Sequence, residues 1–133
     1  MNRIDESKHL LSDAFQRQKT DHSARALYVA FHKKLMDSLE DAHQPYLVRT
    51  HIKGCTYLAN EKKAFIYVDF ASNFSSIKFF TGHDSIKGIG KGYWSRGGDN
   101  TGSERFRIVD ESSASKAADL AVKAYYIASD WPS

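Results

Sequence analysis

A change of period at Pro45 constrains this chain more than any other feature. Before it, Leu27, Phe31, Leu35 and Leu39 recur every four residues, joined by Tyr28, Ala30 and Met36, while Lys33, Lys34, Asp37 and Glu40 fall between them. That spacing lines the apolar side chains along one stripe and predicts a helix over Ala24 to Asp41. After it, Tyr46, Val48, Thr50 and Ile52 alternate with Leu47, Arg49, His51 and Lys53, the two-residue period of a half-buried strand. Pro45 marks the helix end and biases Gln44 toward extended backbone.

The flanking segments extend the pattern. Ile4, Leu11 and Phe15 predict a first helix over Asp5 to Lys19, and Thr20 to Ser23 supplies a break rich in capping residues. Gly54 marks a turn. Strands are predicted at Thr56 to Ala59, Ala64 to Phe70, Ser76 to Phe80 and Arg105 to Val109, with Asn60 to Lys63 as a hairpin turn. Asp110 to Ser115 offers caps for a closing helix over Lys116 to Ser129, whose face of Ala117, Leu120, Ala121, Ala124, Tyr125 and Ala128 can sit close on a sheet. Strands that cluster between helices predict an α+β fold: two N-terminal helices, a mostly antiparallel sheet of about five strands, and a C-terminal helix. Residues 1–133 read as one domain, helical over 1–43, with the sheet and closing helix over 44–129.

Composition excludes several classes. No apolar run approaches the roughly 18 residues that span a bilayer, and Met1 to Asp13 has no signal-peptide core. The single cysteine, Cys55, excludes an internal disulfide and a cysteine-built structural zinc site. A cytoplasmic protein without a membrane partner is the expectation. The formal charge of +3 permits an acidic partner without demanding one.

Seven of the eight glycines lie between Gly82 and Gly102, too dense for regular structure. Within them, Lys87-Gly-Ile-Gly-Lys-Gly-Tyr-Trp-Ser-Arg-Gly-Gly-Asp-Asn100 resembles two nucleotide motifs and satisfies neither. A P-loop requires glycine where Ser85 stands and a hydroxyl where Gly92 stands; a dinucleotide fingerprint requires glycine where Tyr93 stands. The loop reads instead as a glycine-hinged connection pinned by Tyr93 and Trp94.

Lys63 to Phe70 (KAFIYVDF) resembles the aromatic octapeptide strand of an RNA-recognition motif. Ala64 and Ile66 replace its small residues, and both predicted leading helices precede every strand, against that fold's order. The histidines His9, His22, His32, His43, His51 and His83 show no metal-binding spacing, so no metal or cofactor is expected. Cys55 and His51 could form a nucleophilic pair across a turn, although an inert strand-end thiol is the simpler reading. Glu61-Lys62-Lys63 imitates a nuclease signature but falls in a predicted turn.

Arg49, His51 and Lys53 share one face of a predicted strand, and Arg105 and Arg107 share one face of another. Beside Lys87, Lys91, Tyr93, Trp94 and Arg96 they would form a cation–aromatic surface of the kind that holds single-stranded nucleic acid. The candidate binding residues are therefore Lys87, Lys91, Tyr93, Trp94, Arg96, Arg105 and Arg107, with no catalytic residue assigned. A small hydrolase or nuclease using His83, Asp84 or Asp99 is one alternative. Another is a module that binds a protein partner or a second copy through Phe79, Phe80 or the N-terminal helices.

The succession LVRTHIKGCTYLA, AFIYVDFA and SIKFF, then GKGYWSRGGD and a helix ending AVKAYY, resembles an uncharacterised bacterial domain of unknown function. The resemblance covers Pro45 to Ala128. Its most specific residues are Gly90, Gly92, Trp94, Gly97, Gly98, Asp99 and Tyr125. Members of that family occur alone or appended to larger proteins, some with endonuclease-like parts and some labelled "predicted transport protein". The resemblance implies an α+β fold and a DNA-linked context, and it transfers no catalytic residue.

Overall fold

A computed structural model describes residues 12–60, 63–79, 85–86, 90–91 and 106–129. Its fold is α+β. Residues 12–17 are helical (α1), and α2 spans His22–Asp41. Strands β1 (Leu47–His51), β2 (Gly54–Asn60), β3 (Lys63–Phe70) and β4 (Ser75–Phe79) follow, then the short β5 (Ser85–Ile86) and β6 (Gly90–Lys91), then β7 (Phe106–Ile108) and α3 (Glu111–Ser129). The main sheet has the order β1-β2-β3-β4-β7 and is antiparallel at each pairing, while β5 and β6 pair separately.

Both N-terminal helices stop by the same device, without glycine. Lys19 and His43 adopt φ of 53° and 56°. At each, two reverse hydrogen bonds close the last turn: Thr20 N–H to Phe15 O at 3.0 Å with Lys19 N–H to Gln16 O at 3.1 Å, and Gln44 N–H to Leu39 O at 2.8 Å with His43 N–H to Glu40 O at 3.0 Å. This is a Schellman closure, so α2 ends before Pro45 makes itself felt. Asp21 caps the start of α2 by accepting the Ala24 N–H at 2.8 Å. The closing helix begins five residues earlier than its apolar pattern predicts. There Asp110 accepts the Ser113 N–H at 2.7 Å, and Ser113 Oγ accepts the Asp110 N–H at 3.0 Å, a reciprocal cap with serine in the reaching-back role.

One face of the sheet is covered by helices. Register places Val48, Tyr57, Ile66 and Phe79 in one row, and Thr50, Cys55, Val68, Ile77 and Phe106 in the next. Nearly all of these are buried, together with Phe31, Leu35 and Leu39 of α2 and the alanines Ala114, Ala117, Ala121 and Ala124 of α3. Those small side chains let α3 lie close on the strands. Lys34 ties the two helices through Asp119 at 3.1 Å and Ser115 Oγ at 2.5 Å. Tyr125 donates to the Pro45 carbonyl at 2.6 Å, fastening α3 to the segment that enters β1.

Two expectations need correcting. Ile52 does not continue the buried face of β1; it sits in the turn to β2 and is 63% exposed. Phe79 is buried against Phe106 at 6.5 Å between ring centroids, which removes it from any dimer surface. Of the octapeptide aromatics, Tyr67 alone faces outward. Tyr57 pairs with Ile66 but Leu58 with Ala64, so Phe65 is the extra residue of a bulge, and Phe65, Ile66 and Phe70 are all buried. Gly54 is fixed by close approach: a Cβ there would lie 1.9 Å from the Val68 carbonyl oxygen.

Candidate functional site

The opposite face of the sheet carries the cations. Side chains alternate along a strand, so burying Val48, Cys55, Tyr57, Val68 and Ile77 turns their neighbours outward. Register aligns Arg49, Thr56, Tyr67 and Lys78 in one outward row, and His51, Gly54, Asp69, Ser76 and Arg107 in the next. The first row crosses four strands, about 14 Å at the usual inter-strand spacing. Arg49 and Arg107 are exposed, and Lys53 stands exposed in the turn beside them.

Aromatic rings organise these charges. The His51 ring stacks on Tyr67 with centroids 4.5 Å apart and planes at 27°. The two residues lie on β1 and β3, and the position in register between His51 and Asp69 is Gly54, which places no side chain in the way. Lys78 Nζ lies 6.0 Å from the Tyr67 centroid. Arg107 covers the Phe74 ring at 4.6 Å. The Lys53 N–H donates to His51 Nδ1 at 3.2 Å, so the proton of the neutral ring sits on Nε2. Partial burial lowers the His51 pKa, against an opposing pull from the Asp69 carboxylate. His51 therefore serves near neutral pH as a flat, uncharged ring, and the positive charge of the face comes from Arg49, Lys78 and Arg107, partly offset by Asp69.

A second polar group lies beneath the helices. His32 Nδ1 is hydrogen-bonded to the Tyr57 hydroxyl at 2.6 Å; that hydroxyl meets the Tyr28 hydroxyl, which contacts Cys55 Sγ at 3.1 Å. Burial raises Tyr28 and Tyr57 well above the usual phenol range, pushes Cys55 up to about 12 and lowers His32 to about 4. Every member is neutral at pH 7. A thiol held this way is no nucleophile, and His51 lies on the other face of the sheet, so the Cys55–His51 pair does not form.

Of the binding residues expected from the sequence, Arg107 is on the outward face. Lys91 lies in β6, opposite Ser85 of β5. Lys87, Tyr93, Trp94, Arg96 and Arg105 lie outside the described residues, as do His83, Asp84, Asp99 and Phe80. Arg49 and His51 share the face expected from the sequence, and Tyr67, Lys78 and Phe74 join them without having been expected there. The signal for Tyr67 and Lys78 was present in the alternation of AFIYVDF and SSIKF, hidden by the bulge at Phe65 that puts two successive residues inward; Phe74 precedes β4 and follows no such alternation. No group of histidine, cysteine, aspartate or glutamate suited to a metal occurs among the described residues, and no helix among them is long and apolar enough to cross a membrane. No known protein family matches the chain, and no curated protein or solved structure is similar to it.

Proposed function

We propose that the outward face of the sheet binds single-stranded nucleic acid. The observation that carries this reading is the His51–Tyr67–Lys78 stack, flanked in register by the exposed Arg49 and Arg107. Flat rings offer π-faces to unpaired bases, and cations set a few ångströms away follow the phosphates. A duplex hides its base faces and would use only the charges. The platform differs from that of an RNA-recognition motif, because β3 contributes one outward aromatic ring instead of several. Lys87, Lys91, Tyr93, Trp94, Arg96 and Arg105 belong to the same proposal through the interleaving of cations and aromatics in the sequence.

Fluorescence anisotropy with labelled single-stranded DNA, single-stranded RNA and duplex DNA at low salt tests the proposal. The expected result is tighter binding of single strands, weakening steeply as salt rises. Absence of binding to all three probes at low salt sinks it.

A further inference from the structure

We infer that the cleft between α1 and the β1–β2 turn is a guanine subsite at the margin of this face. The inference rests on the nucleic-acid reading above. The cleft has a volume of about 160 Å³ and is lined by Asp13, Ala14, Arg17, Thr50, His51 and Ile52. That is below the roughly 300–1,000 Å³ of pockets for drug-sized ligands, and it suits one planar ring system.

The walls are held in place. Ala14 and Phe15 are buried, and the Phe15 ring packs on Phe70 at 4.4 Å. Gln18 Nε2 donates to the Ile52 carbonyl at 3.4 Å, linking the end of α1 to the turn. His51 belongs to both regions: it walls the cleft and stacks on Tyr67.

Chemistry narrows the occupant. Asp13 and Arg17 are one helical turn apart on α1, and neither side chain has a hydrogen bond or ion pair among the described residues. A phosphate would meet the Asp13 carboxylate, and a bare amine would meet the Arg17 guanidinium. A neutral ring with donors and acceptors on one edge satisfies both. Guanine presents two adjacent donors, N1–H and the N2 amino group, to the two oxygens of a carboxylate, with O6 beside them for a guanidinium. Adenine and cytosine each offer a single amino group on that edge, and thymine offers one N–H between two carbonyls. Arginine to guanine O6 is also a recurrent base contact. Ala14 and Ile52 supply apolar wall for the ring.

The test is anisotropy with the full chain and labelled oligothymidylate, the same strand carrying guanines at alternate positions, and a third strand with inosine in place of guanine. Inosine lacks only the N2 amino group. The guanine strand is expected to bind at least about fivefold tighter than oligothymidylate, the low end of discrimination by a bidentate contact, with inosine between them. D13N is expected to bring the guanine strand to the affinity of oligothymidylate, with its thermal melt matching the parent protein. Equal affinity for all three strands overturns the guanine subsite and leaves the nucleic-acid reading standing. Binding of none of them at low salt overturns both, and a guanine preference that survives D13N overturns the assignment to this cleft.

Discussion

The two faces of the sheet use the same side chains, tyrosine and histidine, in opposite settings. Under the helices, Tyr57, Tyr28 and His32 hydrogen-bond to one another in a closed chain that ends on Cys55. On the other face, Tyr67 and His51 stack ring on ring, with Lys78 above and arginines on either side. Water makes the difference. Where it is excluded, a polar group must find a protein partner or cost the full desolvation of an unmade hydrogen bond, so the two hydroxyls, the thiol and His32 Nδ1 are spent on each other, while His32 Nε2 is buried without a partner. On the outer face Arg49 and Arg107 stand exposed to water, where a ligand can reach them. Inner substitutions should change stability, and outer ones should change binding.

The largest expected effect is Phe65→Ala. Phe65 is fully buried and packs edge-on against Tyr125 at 5.2 Å and Tyr57 at 6.2 Å, so its loss should cost about 3–5 kcal/mol in denaturant unfolding. A smaller loss would mean the Phe65 bulge is not part of the core.

Acid should act through His32. Its pKa is lowered from 6.5 to about 4 by burial, so below pH 6.5 the unfolded chain takes up a proton that the folded chain refuses. Stability is therefore complete above pH 6.5, declines as pH falls toward about 4, and is then level for this group, a loss of about 3 kcal/mol. Denaturation curves of the parent and His32→Gln across this range should converge in slope if His32 is not responsible.

Tyr57→Phe should cost about 1–3 kcal/mol, because it takes from His32 Nδ1 and from the Tyr28 hydroxyl a buried partner. Thermal unfolding measures it. An unchanged melting temperature would show that the inner chain contributes no stability.

The smallest effects on stability belong to Arg49→Ala and Arg107→Ala, each within about 0.5 kcal/mol as exposed surface changes. Their effect should appear in anisotropy titrations, where each lowers the slope of log affinity against log salt by about 1. A variant that unfolds the protein yet leaves that slope unchanged would erase the contrast between the faces.

Much of the fold is legible in the sequence. The four-residue spacing of Leu27 to Leu39 and the two-residue alternation after Pro45 name the long helix and the first strand, because burial on one side imposes those periods on any chain. The helix ends were not legible. Lys19 and His43 take left-handed backbone where glycine is the usual occupant, and α3 starts on a serine that answers Asp110, a role the apolar pattern does not report. Nor was the bulge at Phe65, since an extra residue in one strand exists only relative to its partner.

The sequence by itself determined which elements form and which side of each is apolar, since these follow from the spacing of side chains along one chain. Tertiary structure decided which residues of different strands become neighbours. Arg49 meets Lys78 in one row, His51 reaches Tyr67 past Gly54, and Asp13 and Arg17 face the turn at Ile52. Pairing register and helix docking join residues far apart in the chain, and no local period carries that information.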